Sequence, residues 1–313
     1  MSLAAHATVP SAIRRGASRR KLMLALEPYF YISPAVLLIA AVMLVPLVLG
    51  LSYAVRDIQI LNPFSGGYVG LQHFEELARD EAFRVALANT LWWTFTSLVF
   101  QFAFGLGLAL LLHRDFPGKA IVQALVFLPW AVPTFLSGLD WAWLFNPVVG
   151  PIPHWLTALG LMQSPVNILS DPDLAMWGPI VANIWFGIPF FAITLLAALQ
   201  SIPHEVYEAA AIDSATPLQQ FWSITLPYLA PTITITVMLR TIWIANFADL
   251  IVVMTNGGPA DSTQIVSSYI FTQAFRRLDF GYASAIATVL LALLLLYALA
   301  VVAIRQSLSR AEG

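Results

Sequence analysis

The sequence predicts an all-α polytopic membrane protein with six transmembrane helices. Three observations predict it. Of 313 residues, 59% are hydrophobic and only 10% charged, whereas soluble domains carry about a quarter charged residues. With so little polar surface, the solvent must be lipid. Six apolar runs are each long enough to cross hydrocarbon as a helix, which takes about 20 residues. Lys and Arg are spread unevenly over the segments between those runs, as orientation in a membrane requires.

In order along the chain, residues 1–28 form a polar tail with Arg14, Arg15, Arg19, Arg20 and Lys21. A signal peptide begins in the same way. The apolar stretch after it is too long for one and lacks a small-residue cleavage site, so it is expected to stay as the first span. The spans are expected at about 29–55, 85–112, 120–145, 174–199, 226–254 and 281–304, within a transmembrane body over 29–306. Pro34 and Pro46 in the first are tolerable in a helix packed among others. Residues 56–84 read as a mixed-charge loop. Asn146-Pro147, Gly150-Pro151 and Pro153 break the chain after the third span. The following segment reads as an ordered outer loop with a short helix near Trp155. Gly187 and Pro189 suggest a kink in the fourth span. Residues 255–280 read as an outer loop, and 307–313 as a closing tail.

Putting the N-terminus inside assigns Arg14, Arg15, Arg19, Arg20, Lys21, Arg114, Lys119, Arg305 and Arg310 to the cytoplasmic side. The outside then receives Arg56, Arg79, Arg84, Arg276 and Arg277. The bias predicts both termini in the cytoplasm, with an even number of spans. The net charge of −2 and the lack of a basic stripe past the tail point away from nucleic acid. Zero Cys excludes disulfides and thiolate metal sites within the chain. The five His are scattered and show no metal-ligand spacing, which predicts surface or interfacial histidines.

One polar stretch interrupts the apolar runs, residues 201–227, SIPHEVYEAAAIDSATPLQQFWSITLP. Ser201 can cap a first short helix and Pro203 suits its opening turn. Thr216-Pro217 repeats that start signal for a second. Glu205, Glu208 and Asp213 lie here with no Lys or Arg, and the orientation places the stretch inside.

These residues resemble the EAA loop of the membrane subunits of binding-protein-dependent ABC importers. Glu208-Ala209-Ala210, Asp213 and the turn residue Ser214, then Ile224, Leu226 and Pro227 fit the family pattern of EAA, three residues, Gly, nine residues, I-x-L-P. Ser214 departs from the usual Gly, which tolerates positive φ far better. Further stretches resemble the carbohydrate-uptake branch, the maltose and glycerol-3-phosphate type of sugar permease. They include Gly66-Gly67-Tyr68-Val69-Gly70-Leu71 with His73-Phe74, where His73 replaces an Asn, and Asn89-Thr90-Leu91. Ala197 to Pro203, Met254 to Pro259 with Thr263, Tyr269, Ala274 and Phe275, and Phe280 to Ala285 complete them. The likeness runs from Tyr29 to Gln306.

The resemblance implies a type I-like importer fold and a set of partners. These are a second, homologous permease chain, two ATPase subunits and an extracytoplasmic solute-binding protein that delivers a carbohydrate. It also implies that Glu208 anchors the ATPase and that Ala209 and Ala210 allow close approach. The only Gly-Lys, at Gly118-Lys119, lacks the glycine that a phosphate loop requires. No cofactor is therefore expected on this chain, and ATP and Mg are expected on the ATPase subunits. The chain is not expected to be an enzyme.

Three charges lie within spans: Asp140, Arg240 and Asp249. Each costs about 2.5–3.5 kcal/mol in lipid on insertion scales, so each is expected to face protein or water. On one continuous helix, Arg240 and Asp249 would point to opposite faces. Trp243, Asn246 and Asp249, stepping by three, would line one side. An aromatic plate beside amide and carboxylate acceptors suits a sugar; helix packing with polar glue suits the same residues. Two alternatives to an importer subunit are a stand-alone six-span secondary transporter or channel and a membrane enzyme. The first predicts a repeat between halves and mid-span ion-coupling carboxylates. The second predicts a convergent catalytic cluster. Neither signature is visible.

Overall fold

A computed structural model describes residues 26–311 and contains helices, turns and two isolated β-bridges, Arg56–Tyr68 and Gln59–Asp279. The basic tail through Lys21 lies outside the described residues. The chain divides into two units, Met1–Tyr53 and Ala54–Gly313. The described part of the first is one helix, α1 (Leu26–Tyr53), with a π-helical turn at Ala40–Leu44.

The second unit holds the remaining helices. They are α2 (Gln72–Arg79), α3 (Glu81–His113), α4 (Lys119–Ala131), α5 (Thr134–Leu144) and α6 (Pro151–Ala158). Then come α7 (Trp177–Gln200), α8 (His204–Ile212), α9 (Pro217–Gln220), α10 (Leu226–Ala245), α11 (Asp249–Met254), α12 (Val266–Phe275) and α13 (Phe280–Ala311). Among the described residues, five helical stretches are long and apolar enough to cross a membrane, six if the bent pair α4–α5 counts as one.

The third expected span, 120–145, is covered by that bent pair rather than by one straight helix. Two prolines four residues apart, Pro129 and Pro133, remove backbone donors from consecutive turns. The helices on either side of Val132-Pro133 diverge by 100°. Pro189 has no such effect: α7 runs through it from Trp177 to Gln200. The prolines after Phe145 do end a helix, and Pro151, at the first turn of α6, opens the next. Two regions read as loops contain the helices α2 and α12. His73 is not superficial: it is 5% exposed, and its Nε2 lies 3.1 Å from the Arg56 carbonyl oxygen.

α3 and α7 form the centre of the second unit. Their contact works through reciprocal glycines. Gly105 of α3 lies against Phe191 and Ala192, and Gly187 of α7 lies against Gln101. A Cβ at either position would overlap the opposite helix, so glycine permits the close approach on which membrane helices rely. Around this pair, Trp93, Ile180, Ile244, Leu250 and Ile251 form one buried cluster, and Leu112, Phe191, Leu195, Leu199 and Leu229 another. The Trp93 indole N–H closes the first by donating to the Ile244 carbonyl at 2.9 Å.

At one end, the start of α3 holds the segment after α11. Asn89 Nδ2 donates to the carbonyls of Asp261, Ser262 and Gln264 at 3.0–3.1 Å. Thr90 Oγ1 accepts from the Val266 amide at 2.8 Å. Beside it, Asp80 caps α3 through the Ala82 amide and accepts the hydroxyls of Tyr269 and Tyr282 at 2.6 and 2.7 Å.

Candidate functional site

Residues 201–227 fold as a helical hairpin that continues into α10. Ser201 caps no helix start. Its hydroxyl donates back to the Ala198 carbonyl at 2.7 Å, finishing α7 instead, and Pro203 precedes α8 without a side-chain cap. The end of α8 is a Schellman turn: the Ser214 amide donates to Ala211 and the Ala215 amide to Ala210. Such a turn places its hinge residue in the left-handed region, and Ser214 has φ 60°. Thr216 then caps α9. Its hydroxyl accepts from the Gln219 amide, and Gln219 Oε1 accepts from the Thr216 amide at 2.7 Å.

No break follows. α9 passes through a π-helical turn at Phe221–Thr225 straight into α10. The turn is tied to α8 by Tyr207 and Thr225, whose hydroxyls lie 2.9 Å apart. Glu208, Ala209, Asp213, Ser214 and Pro227 are exposed, whereas Ala210, Ile224 and Leu226 are half-buried. Ile212, Leu218 and Trp222 are 83%, 68% and 61% exposed, so the hairpin presents apolar as well as acidic side chains.

At the far end of α10 lies an open cavity of about 520 Å³, lined by Trp130, Phe186, Arg240, Ile242, Trp243, Asn246 and Phe247. Here the helix stops: Asn246 ends α10, and Asp249 begins α11 after a break. The assumption of one continuous helix therefore fails, and with it both face assignments. Arg240, Trp243 and Asn246 come together at the cavity. Asp249 turns elsewhere and accepts from Thr134 Oγ1 at 3.2 Å, joining the starts of α11 and α5. Asp140 lies exposed on α5 and is not part of the cavity lining.

The walls are aromatic and fixed. Phe186 and Phe247 stack at 5.5 Å between centroids, and Trp243 leans on Phe190 at 5.2 Å. The Trp130 indole N–H donates to the Phe186 carbonyl at 3.0 Å. Arg240 is 5% exposed. Its Nε donates to Gln101 Oε1 at 2.7 Å, and its guanidinium carbon lies 6.0 Å from the Phe190 ring centre. Gln101 is fully buried, and its Nε2 donates to the Asn183 carbonyl at 2.8 Å. The sequence did not single out Gln101, and it marked Gly187 as a kink rather than as the space that Gln101 fills. The only available signal was a lone amide in an apolar run, with an arginine in another run and no carboxylate level with it. Among the described residues, no group of three or more His, Asp or Glu could hold a metal.

Comparison with known proteins decides the family. Residues 101–310, more than half of the chain, match the family model of the binding-protein-dependent transport system inner membrane component. The chain belongs to that family. The trehalose/maltose transport system permease protein MalF of Thermococcus litoralis is 36% identical over 73% of this chain and 76% of its own length. A solved bacterial ABC transporter involved in import of the acidic polysaccharide alginate superposes with TM-score 0.79 at 25% identity. It covers 94% of this chain and 99% of its own. A second solved structure, a bacterial alginate ABC transporter in complex with an alginate pentasaccharide-bound periplasmic protein, gives TM-score 0.77 at 25% identity. The match covers 90% of this chain and 94% of that one. This permease is thus an inner-membrane transport component of an ABC importer, and the stand-alone transporter reading is set aside.

Proposed function

We propose that this permease carries a carbohydrate delivered by an extracytoplasmic solute-binding protein, and that residues 201–227 receive the force from a separate ATPase. The observation that carries the reading is the unbroken path from the exposed hairpin through the π-helical turn into α10, whose far end lines the cavity. In this reading the hairpin faces the cytoplasm, with both termini on that side. Two ATPase subunits bind ATP and Mg, and one of them takes α8 into a cleft with Glu208 as anchor. Closure of the ATPase pair displaces the hairpin, and helices packed through their glycines move as units. A second, homologous permease chain completes the pore. The relatives named for trehalose/maltose and alginate import support a saccharide as the cargo.

The test is reconstitution in lipid vesicles of the permease pair, the ATPase and the cognate binding protein. Saccharide accumulation requiring both ATP and the binding protein is expected. Equal accumulation by vesicles holding this chain alone, without nucleotide, would overturn the reading.

A further inference from the structure

We propose that the cavity at the end of α10 binds an anionic group of the carbohydrate on the guanidinium of Arg240, so that the cargo is an acidic saccharide; this rests on the carbohydrate-import reading above. The argument starts from an unbalanced charge. Among the described residues, the ion pairs are His73–Glu76, Arg84–Glu81 and Lys119–Asp115, so no carboxylate pairs with Arg240. No acidic residue lines the cavity either. A cation this deep in a membrane protein is retained where something neutralises or uses it.

The arginine is also aimed. Gly187 leaves the space that Gln101 fills, and the Asn183 carbonyl fixes the Gln101 amide so that its oxygen meets Arg240 Nε. With Nε occupied by a neutral acceptor, the two terminal NH2 groups keep their donors and the full positive charge. Those two groups form the fork that pairs with two oxygens of a carboxylate, sulfonate or phosphate ester. Trp243, half exposed beside it, offers a flat apolar face for a sugar ring, and Asn246 adds an amide for hydroxyls. A neutral saccharide would use the tryptophan and the amide and leave the cation unmatched.

The experiment uses the assembled importer in detergent without its binding protein, so that only the membrane site is read. Saturation-transfer NMR measures binding of D-galacturonate, D-glucose 6-phosphate and D-glucose as probes. Either anion, or both, should bind at least about tenfold more tightly than glucose, a difference of about 1.4 kcal/mol, and should weaken as salt is raised. The anion that binds identifies the acidic group. Arg240→Gln should remove the preference and Arg240→Lys should keep part of it, since the charge survives and the fork does not. If Arg240→Gln fails to assemble, the wild-type and Arg240→Lys comparisons decide. Equal binding of anion and glucose, no binding of any probe, or an Arg240→Gln complex with unchanged preference would each overturn the proposal. The last result is expected if Arg240 instead serves a carboxylate of the second permease chain. Failure of ATP-dependent uptake would overturn the transport reading alone, because probe binding needs no nucleotide.

Discussion

Gln101 occupies the volume that any side chain on residue 187 would need. A Cβ there would overlap the Gln101 amide, which is already committed to the Asn183 carbonyl on one side and to Arg240 on the other. The Gly187→Ala permease should therefore lose two buried hydrogen bonds or separate α3 from α7. Overpacking of this kind costs about 1–3 kcal/mol. Thermal unfolding of the purified permease should show a lower midpoint, with the same variant losing the Arg240-dependent anion preference. An unchanged midpoint would mean that α3 and α7 yield without cost.

Ser214 holds a left-handed backbone, φ 60°. Non-glycine residues at such angles lose about 1–2 kcal/mol. Ser214→Gly should raise the melting temperature and slow amide exchange at the end of α8, while Ser214→Val should do the reverse. Hydrogen–deuterium exchange over residues 204–216 checks both signs.

Asp80 gives a pH dependence. Burial pushes its carboxyl up, but hydrogen bonds from Tyr269 and Tyr282, with the backbone amides of Phe83 and Ala82, outweigh burial and hold it below its ordinary value of 3.8. The ionised form is therefore favoured in the folded state. Its contribution is fully present above pH 3.8 and is lost as pH falls through the lower folded value. The same carboxylate and burial keep the Tyr269 phenol protonated above its usual range, with burial the larger cause. In acid titration of the unfolding midpoint, Asp80→Asn should flatten the drop below pH 3.8 and lower the plateau above it.

Glu208 lies exposed on α8, and no Lys or Arg stands between Ser201 and Pro227. In the proposed coupling role, Glu208→Lys puts a cation against the ATPase. ATP-driven uptake should be abolished and the ATPase lost from pull-downs, while the permease still inserts and pairs. Wild-type uptake by that variant would remove Glu208 from the coupling path.

Much of this fold was written in local patterns. Apolar runs of fixed length mark the long helices, and Thr216-Pro217 marks the start of α9. The serine at position 214 put the glycine turn of the family pattern in question, yet it holds the left-handed angle. The cavity was only half legible. Trp243, Asn246 and Arg240 were visible as polar and aromatic residues in one run, but Asp249 was grouped with them on the premise of an unbroken helix. The break at Asn246 has no proline or glycine to announce it. Gln101 reaches Arg240 across 139 residues of sequence, and no local rule connects them. Prolines were ambiguous for a related reason. Pro189 and Pro133 look alike in a window, yet one lies inside a helix and the other begins a 100° turn.

That turn has a cost for an unassembled copy. α4 has 13 residues and α5 has 11, which at 1.5 Å per residue gives about 20 Å and 17 Å. Neither arm alone crosses the roughly 30 Å of hydrocarbon. With the pair taken as one broken span, the corner at Val132-Pro133 lies at depth, where irregular backbone survives only under a cover of protein or water. A copy made in excess of its partners leaves that corner against lipid. In the proposed assembly, cells should clear such surplus chains by proteolysis, so the abundance of this subunit should follow the supply of the second permease chain.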